Sequence, residues 1–225
     1  MEFGSKNWSS QQMLFPGVWV YKNVFNNLNL TEKINTLLED PTSPYTWHEA
    51  RVGYMDLKSD YRNCSDFKIG EIENPKNEHE SALAKIWQDA HDAHVPAVSD
   101  YCNRYSIKMD FWEVMNYIRY VPGNHFKEHA DHGFSYSATV SLVGYLNDDY
   151  VGGGLYFPKL DLKIQPEAGD LYIFPSTYLF SHVALPVESG TKYSLVTMLD
   201  YNDNAHSEEY MKMIYDKVNA QNNSI

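Results

Sequence analysis

The chain has 225 residues, 43% hydrophobic and 15% aromatic with 18 tyrosines, and a net charge of -12. That length allows one large domain or two small ones, and the acidity argues against a nucleic-acid duplex as partner, because phosphate neutralisation needs a positive surface. The apolar runs are short and interrupted, so none approaches the roughly 20 residues of a membrane helix. No signal peptide is present, and Cys64 and Cys102 lack a second pair, which predicts reduced thiols in a cytoplasmic protein.

Met1 to Ser5 read as a cloning scar and are set aside. Within Pro16 to Phe25 a short alternating run predicts an edge or packing strand. Leu30, Ile34, Leu37 and Leu38 recur at helical spacing behind a cap-capable Asn29, and Pro41 and Pro44 close this amphipathic helix. From Tyr45 to Asn77 the texture is mixed, with WHEARVGYMDL extended and DYRNCSDFKIGEIENPKN rich in turns. Glu78 to His94 forms a second helix with Leu83, Ile86, Trp87 and Ala90 on one face; Pro96 is expected to break or kink it before a further helical piece ending near Tyr105. His79, His91 and His94 have no carboxylate or cysteine at metal spacing and read as solvated or packed.

From Asp110 onward, segments of β-branched and aromatic residues alternate with turns: FWEVMNYIRYV, YSATVSLVGYL, GLYFP, LKIQP, DLYIFP, HVALPV and KYSLVTMLDY. Short strands at such spacing predict a sandwich or barrel, hence a mainly β core with the N-terminal helices packed on one outer face. Without repeats or linkers, residues 6–225 read as a single domain: 6–109 a helical and strand support region, 110–201 the β core, 202–225 a C-terminal helix and tail.

The chemistry gathers around His129-Ala130-Asp131. In an extended segment side chains alternate, so His129 and Asp131 face the same way and can share one ion. His182 opens a later strand that a rolled sheet can bring alongside. Two histidines and one carboxylate on one face of a metal suit non-haem Fe(II) and dioxygen. Lys192 stands in an otherwise apolar strand, where an ammonium needs a partner, and a dicarboxylic cosubstrate would provide one. Ser194 shares its strand face and can donate to the same carboxylate. The plainer alternative is an edge-strand lysine facing water.

The ordered set YVPGNHFKEHAD (Tyr120 to Asp131), YLNDD (Tyr145 to Asp149), Gly152-Gly153, Phe157-Pro158, PEAGD (Pro166 to Asp170), His182 and Lys192 resembles the prolyl 4-hydroxylase-like branch of the Fe(II)/2-oxoglutarate-dependent dioxygenases, compact bacterial and phage members in particular. The resemblance covers Glu113 to Tyr201. It implies a double-stranded β-helix, or jelly roll, with His129, Asp131 and His182 as iron ligands and Lys192 on the distal carboxylate of 2-oxoglutarate. Tyr120, Tyr145 and Asn116 are implied as further cosubstrate contacts, Asn116 being equally readable as a structural amide. Also implied are dioxygen as oxidant, ascorbate as a reductant, and hydroxylation of an unactivated C–H bond, that of a prolyl residue of a peptide or protein, with release of succinate and CO2.

The chain departs from the branch in two places. Gly154-Leu155 replaces the usual Glu-Thr, and the arginine that many peptidyl-proline members carry after His-x-Asp is missing from His132-Gly133-Phe134-Ser135-Tyr136. His125 and His132 are expected at the entrance or in solvent. The second departure keeps a free amino acid or small metabolite open as the substrate, and a non-catalytic ligand-binding jelly roll is the rival from another class.

Overall fold

The computed structural model of the chain describes residues 6–52, 60–133 and 136–222. Met1–Ser5, the second half of the WHEARVGYMDL run, and Phe134 and Ser135 of the loop after Asp131 lie outside the described residues.

The run expected as one strand near Pro16 is half of a hairpin. Ser10–Phe15 (β1) and Val18–Lys22 (β2) pair antiparallel around Pro16-Gly17. Leu30–Glu39 (α1) forms as read, with Leu30, Ile34 and Leu37 buried, although Asn29 is left-handed at φ 51° and makes no side-chain cap bond. Three short strands follow: His48–Glu49 (β3), Arg62–Asn63 (β4) and Ser65–Ile69 (β5).

Pro96 does not end the second helix, which runs unbroken over Glu78–Tyr105 (α2). A proline forfeits one backbone hydrogen bond. Here buried residues on both sides of it, Leu83, Ile86, Ala90 and Ala93 before and Ala97, Val98 and Tyr101 after, hold the helix to the sheet. Asn77 caps its start by accepting from the Glu80 backbone N–H at 2.8 Å. The helix histidines are packed: His94 is fully buried and donates to the Ala90 carbonyl at 2.7 Å, while His91 stacks on Trp87.

The C-terminal half supplies Phe111–Trp112 (β6), Met115–Tyr120 (β7), His125–His129 (β8), Val140–Tyr145 (β9), Val151–Gly152 (β10), Leu155–Phe157 (β11), Leu162–Ile164 (β12), Leu171–Pro175 (β13), His182–Ala184 (β14), Val187–Ser189 (β15), Lys192–Asp200 (β16) and the helix Glu208–Asn222 (α3). FWEVMNYIRYV and HVALPV, each expected as one strand, divide in two at Glu113-Val114 and Leu185-Pro186.

The large sheet has the order β1-β2-β13-β9-β16-β7-β5-β3, with β6 also on β16; the smaller one runs β12-β11-β14-β8-β4, and β10 pairs with β15. All pairings between these strands are antiparallel. One face of the large sheet carries α1 and α2, through a core in which Tyr21, Ile34, Ile86, Tyr117, Leu142 and Leu195 are buried together. Its other face meets the small sheet, with Val143, Tyr145, Tyr172 and Phe174 against Leu155 and Phe157. The expected β core with helices on one outer face is therefore present. One correction applies: the N-terminal region is more than an outer support, since β1, β2, β3 and β5 extend the large sheet and β4 the small one.

Candidate metal centre and its cavity

Strands β8 and β14 pair so that His182 lies opposite His129, and Asp131 follows two residues beyond the end of β8. One ligand atom from each of His129, Asp131 and His182 falls within 4.8 Å of the others. His129 Nε2 is 3.6 Å from Asp131 Oδ1, and His182 Nε2 is 3.9 Å from Asp131 Oδ2.

Both rings are turned by their other nitrogen. His129 Nδ1 donates to the Lys127 carbonyl at 2.8 Å, and His182 Nδ1 donates to the Phe180 carbonyl at 3.2 Å. Each Nε2 is thereby left as the lone-pair donor facing the carboxylate, which is how a protein fixes the tautomer of a metal-binding imidazole. Ser141 donates to Asp131 Oδ2 and lies 2.8 Å from the Ser176 hydroxyl. Burial, and after it the neighbouring His182, hold the His129 imidazole well below the usual histidine range, so the ring is neutral, as a ligand must be.

The register of β8 against β14 shifts between these pairs: Phe126 to His129 spans three steps where Ala184 to His182 spans two. A bulge of this kind re-aims side chains beside a site. It brings Phe126 onto the face of His129, the two rings stacking with centroids 3.5 Å apart and 13° between planes.

Lys192 lies across from Tyr120 in the β16–β7 pairing and is 1% exposed. Its Nζ donates to the Gly153 carbonyl at 2.8 Å and sits 4.1 Å from the Tyr120 ring centroid. It has no carboxylate partner among the described residues, and burial pushes its pKa down to about 7. The turn that offers the Gly153 carbonyl requires glycine: Gly152 and Gly153 have φ of +76° and +64°, and a Cβ on Gly152 would stand 2.5 Å from the Pro186 carbonyl oxygen.

A cavity of about 100 Å³ is lined by all eight residues singled out from the sequence, Asn116, Tyr120, His129, Asp131, Tyr145, His182, Lys192 and Ser194. The edge-strand alternative for Lys192 is thus overturned, since β16 runs between β9 and β7. Beside it opens a trench of about 1130 Å³, lined among others by Trp47, Tyr61, Arg62, Glu113, Phe126 and Tyr136 and sharing His129 and Asp131 with the inner cavity. His125 and His132 line neither; the His125 ring lies between the Gly123 and Asp60 carbonyls, and Nδ1 of His132 sits against the Ala138 backbone.

Sequence reasoning missed Arg62, Phe126, Glu113 and Ser141. Arg62 lies in a turn-rich stretch with no chemical pattern, and Phe126 is brought in by the bulge, which strict alternation does not foresee. Glu113 was a more accessible signal: a lone carboxylate between two strands, it is largely buried, and burial raises its pKa.

Residues 115–199 match the 2OG-Fe(II) oxygenase superfamily. The resemblance read from the sequence is borne out there, and that superfamily description carries both the metal and the cosubstrate. A protein of Acanthamoeba polyphaga mimivirus named "Putative prolyl 4-hydroxylase" is 27% identical over 118 residues, covering 44% of this chain and 49% of that protein. The chain thus spans about half the length of that curated relative. Among solved structures, a Trichoplax adhaerens prolyl hydroxylase bound to a hypoxia inducible factor oxygen degradation domain peptide fragment superposes with a TM-score of 0.64 at 17% identity, over 88% of this chain and 86% of the other. The viral collagen prolyl hydroxylase of Paramecium Bursaria Chlorella virus-1, solved as its 2OG complex, gives 0.57 at 18%, over 81% and 95%. These likenesses establish the 2OG-oxygenase jelly-roll fold. Among the described residues no helix is long and apolar enough to cross a membrane.

Proposed function

We propose that the chain is an Fe(II)- and 2-oxoglutarate-dependent dioxygenase that hydroxylates a prolyl residue of a peptide or protein. One observation carries the reading: a two-histidine, one-carboxylate cluster and a buried lysine that has no carboxylate partner among the described residues line the same small cavity.

The residues fit both groups. Two neutral imidazoles and a carboxylate form a donor set that leaves the remaining sides of an iron open. His129, Asp131 and His182 would hold it. Lys192, buried from solvent and with no carboxylate partner among the described residues, suits the far carboxylate of a diacid, with Ser194, Tyr120, Tyr145 and Asn116 as the polar groups around it. Bound there, iron would activate dioxygen as the oxidant, and 2-oxoglutarate would be oxidised to succinate and CO2, giving dioxygen one pair of electrons while the hydroxylated C–H bond gives the other, with ascorbate as a reductant of the metal. The chain's own part is geometric: it fixes both tautomers, holds Asp131 through Ser141, and walls the inner cavity with Phe126, Val143 and Leu155 so that water is kept from it.

The volume of the outer trench supports a peptide or protein over a free amino acid or small metabolite, since a small substrate would leave most of it unfilled. We read residues 6–225 as one dioxygenase unit, because strands from the N-terminal half complete the margins of both sheets whose centres come from the C-terminal half, and expect it to work in the cytoplasm.

The test is turnover. Iron-loaded protein is incubated with 2-oxoglutarate and proline-containing peptides or free amino acids, while succinate and a gain of one oxygen in product mass are followed. Succinate with a hydroxylated prolyl peptide is expected. Hydroxylation of free amino acids alone would move the substrate to the small-molecule class, and no turnover with full iron retention in His129→Ala would sink the assignment.

A further inference from the structure

Arg62 is the one described arginine that lines the inner cavity, and it lines the trench as well. It enters from β4, in the N-terminal half, where it pairs directly with Phe126 of β8. Its guanidinium sits 4.8 Å from the Phe126 ring centroid, and that ring stacks on His129. The cation thus lies one ring away from a metal ligand, whereas Lys192 is held among Tyr120, Tyr145 and Gly153.

Its hydrogen bonding is incomplete. Nη1 donates to the Arg51 carbonyl at 2.7 Å, Nη2 approaches Asp66 at 3.6 Å and the Cys64 thiol lies close by, but the buried Nε has no hydrogen-bond partner among the described residues. A buried N–H on a cation is costly to leave unmatched, and native proteins match nearly all of them. The side chain is 15% exposed, so solvent is a poor substitute. A diacid carries two carboxylates, and Lys192 accounts for one.

Resting on the cosubstrate reading above, we propose that Arg62 is a second anchoring cation for the diacid, meeting the carboxylate nearer His129 while Lys192 meets the far one. The chain then grips its cosubstrate from both sheets, with Lys192 from the large and Arg62 from the small. The support region becomes part of the binding site. A guanidinium suits the task, because its fixed fork can serve a carboxylate and keep its bond to Arg51 at the same time.

The experiment is calorimetric titration of 2-oxoglutarate into Mn(II)-loaded protein without oxygen, for the unsubstituted chain, Arg62→Met and Arg62→Lys, with Mn(II) affinity and thermal midpoint measured in parallel. Loss of one charged hydrogen-bonded contact corresponds to about 10- to 100-fold weaker binding. We expect a loss in that range for Arg62→Met and a smaller one for Arg62→Lys, with Mn(II) affinity unchanged. If the unsubstituted protein binds no 2-oxoglutarate, the cosubstrate reading fails. Binding by the unsubstituted chain that both variants match overturns the Arg62 proposal alone. So does an equal loss of Mn(II) affinity, which would make Arg62 a support of His129. Should Arg62→Met fail to fold, Arg62→Lys decides.

Discussion

Phe126 and His129 stack ring on ring, 3.5 Å between centroids, although they stand three positions apart on one strand. Only the register shift in β8 permits this, since regular alternation would set them on opposite faces. Phe126 therefore limits the tilt of a ligand whose other side faces Asp131. Replacing Phe126 by Leu keeps the site apolar but removes the flat surface. Metal affinity is expected to fall by about tenfold, as it does when the support of a ligand is loosened, and competition titration with a metal chelator measures it.

The three ligand atoms are within 4.8 Å of one another, so each should matter to metal retention. His129→Ala, Asp131→Ala and His182→Ala are each expected to lose iron to background after desalting, read by elemental analysis, with secondary structure kept by circular dichroism. Ser141→Ala leaves all three ligands but frees Asp131 Oδ2, and should retain iron with about 10-fold lower affinity.

Lys192 gives a pH signature. In the empty protein burial lowers its pKa to about 7 from 10.5, so between those values the unfolded chain holds a proton that the folded one lacks, and stability gains as pH rises through that window. A carboxylate restores the ammonium. At pH 8 2-oxoglutarate binding is expected to take up about one proton, and its affinity to fall by about tenfold per pH unit above 7. Calorimetry in buffers of different ionisation enthalpy reads the uptake, and Lys192→Met should abolish it.

Asp170 joins the N-terminal hairpin to the core. Its 1% exposed carboxylate accepts from Lys22 Nζ at 2.8 Å, the Tyr172 hydroxyl at 3.0 Å and the Glu167 backbone N–H at 3.0 Å. Asp170→Ala strands a hydroxyl and an N–H, and Lys22 keeps some access to water. The expected loss is about 2–3 kcal/mol, seen as a lower urea midpoint at unchanged slope.

The chemistry was legible in the sequence because its signals are either local or chemically conspicuous. His129 and Asp131 need only a two-residue spacing, and Lys192 betrays itself as a charge among Tyr193, Leu195 and Val196. Helices α1 and α2 follow from apolar spacing, yet Pro96 misled, since one lost hydrogen bond weighs little against seven buried neighbours in that helix. Arg62 was invisible for another reason. It acts through a pairing with Phe126 that is distant in sequence, and a two-residue strand such as β4 leaves no periodicity to read. The bulge in β8 is likewise a product of pairing, with no glycine in β8 to announce it.

The order of the large sheet has a consequence for how the chain comes to be folded. Strands β13, β9, β16 and β7, from the second half, form its middle, while β2 and β1 border one margin and β5 and β3 the other. During synthesis the borders leave the ribosome first and must wait for the centre. β2 has no place to dock until β13 is made, nor β5 until β7. A protein assembled from its margins inward, with so many contacts closing over long stretches of chain, is expected to fold slowly. A fragment cut to residues 115–199 would keep the residues of the metal cluster yet expose two bare strand margins, and should aggregate when expressed alone.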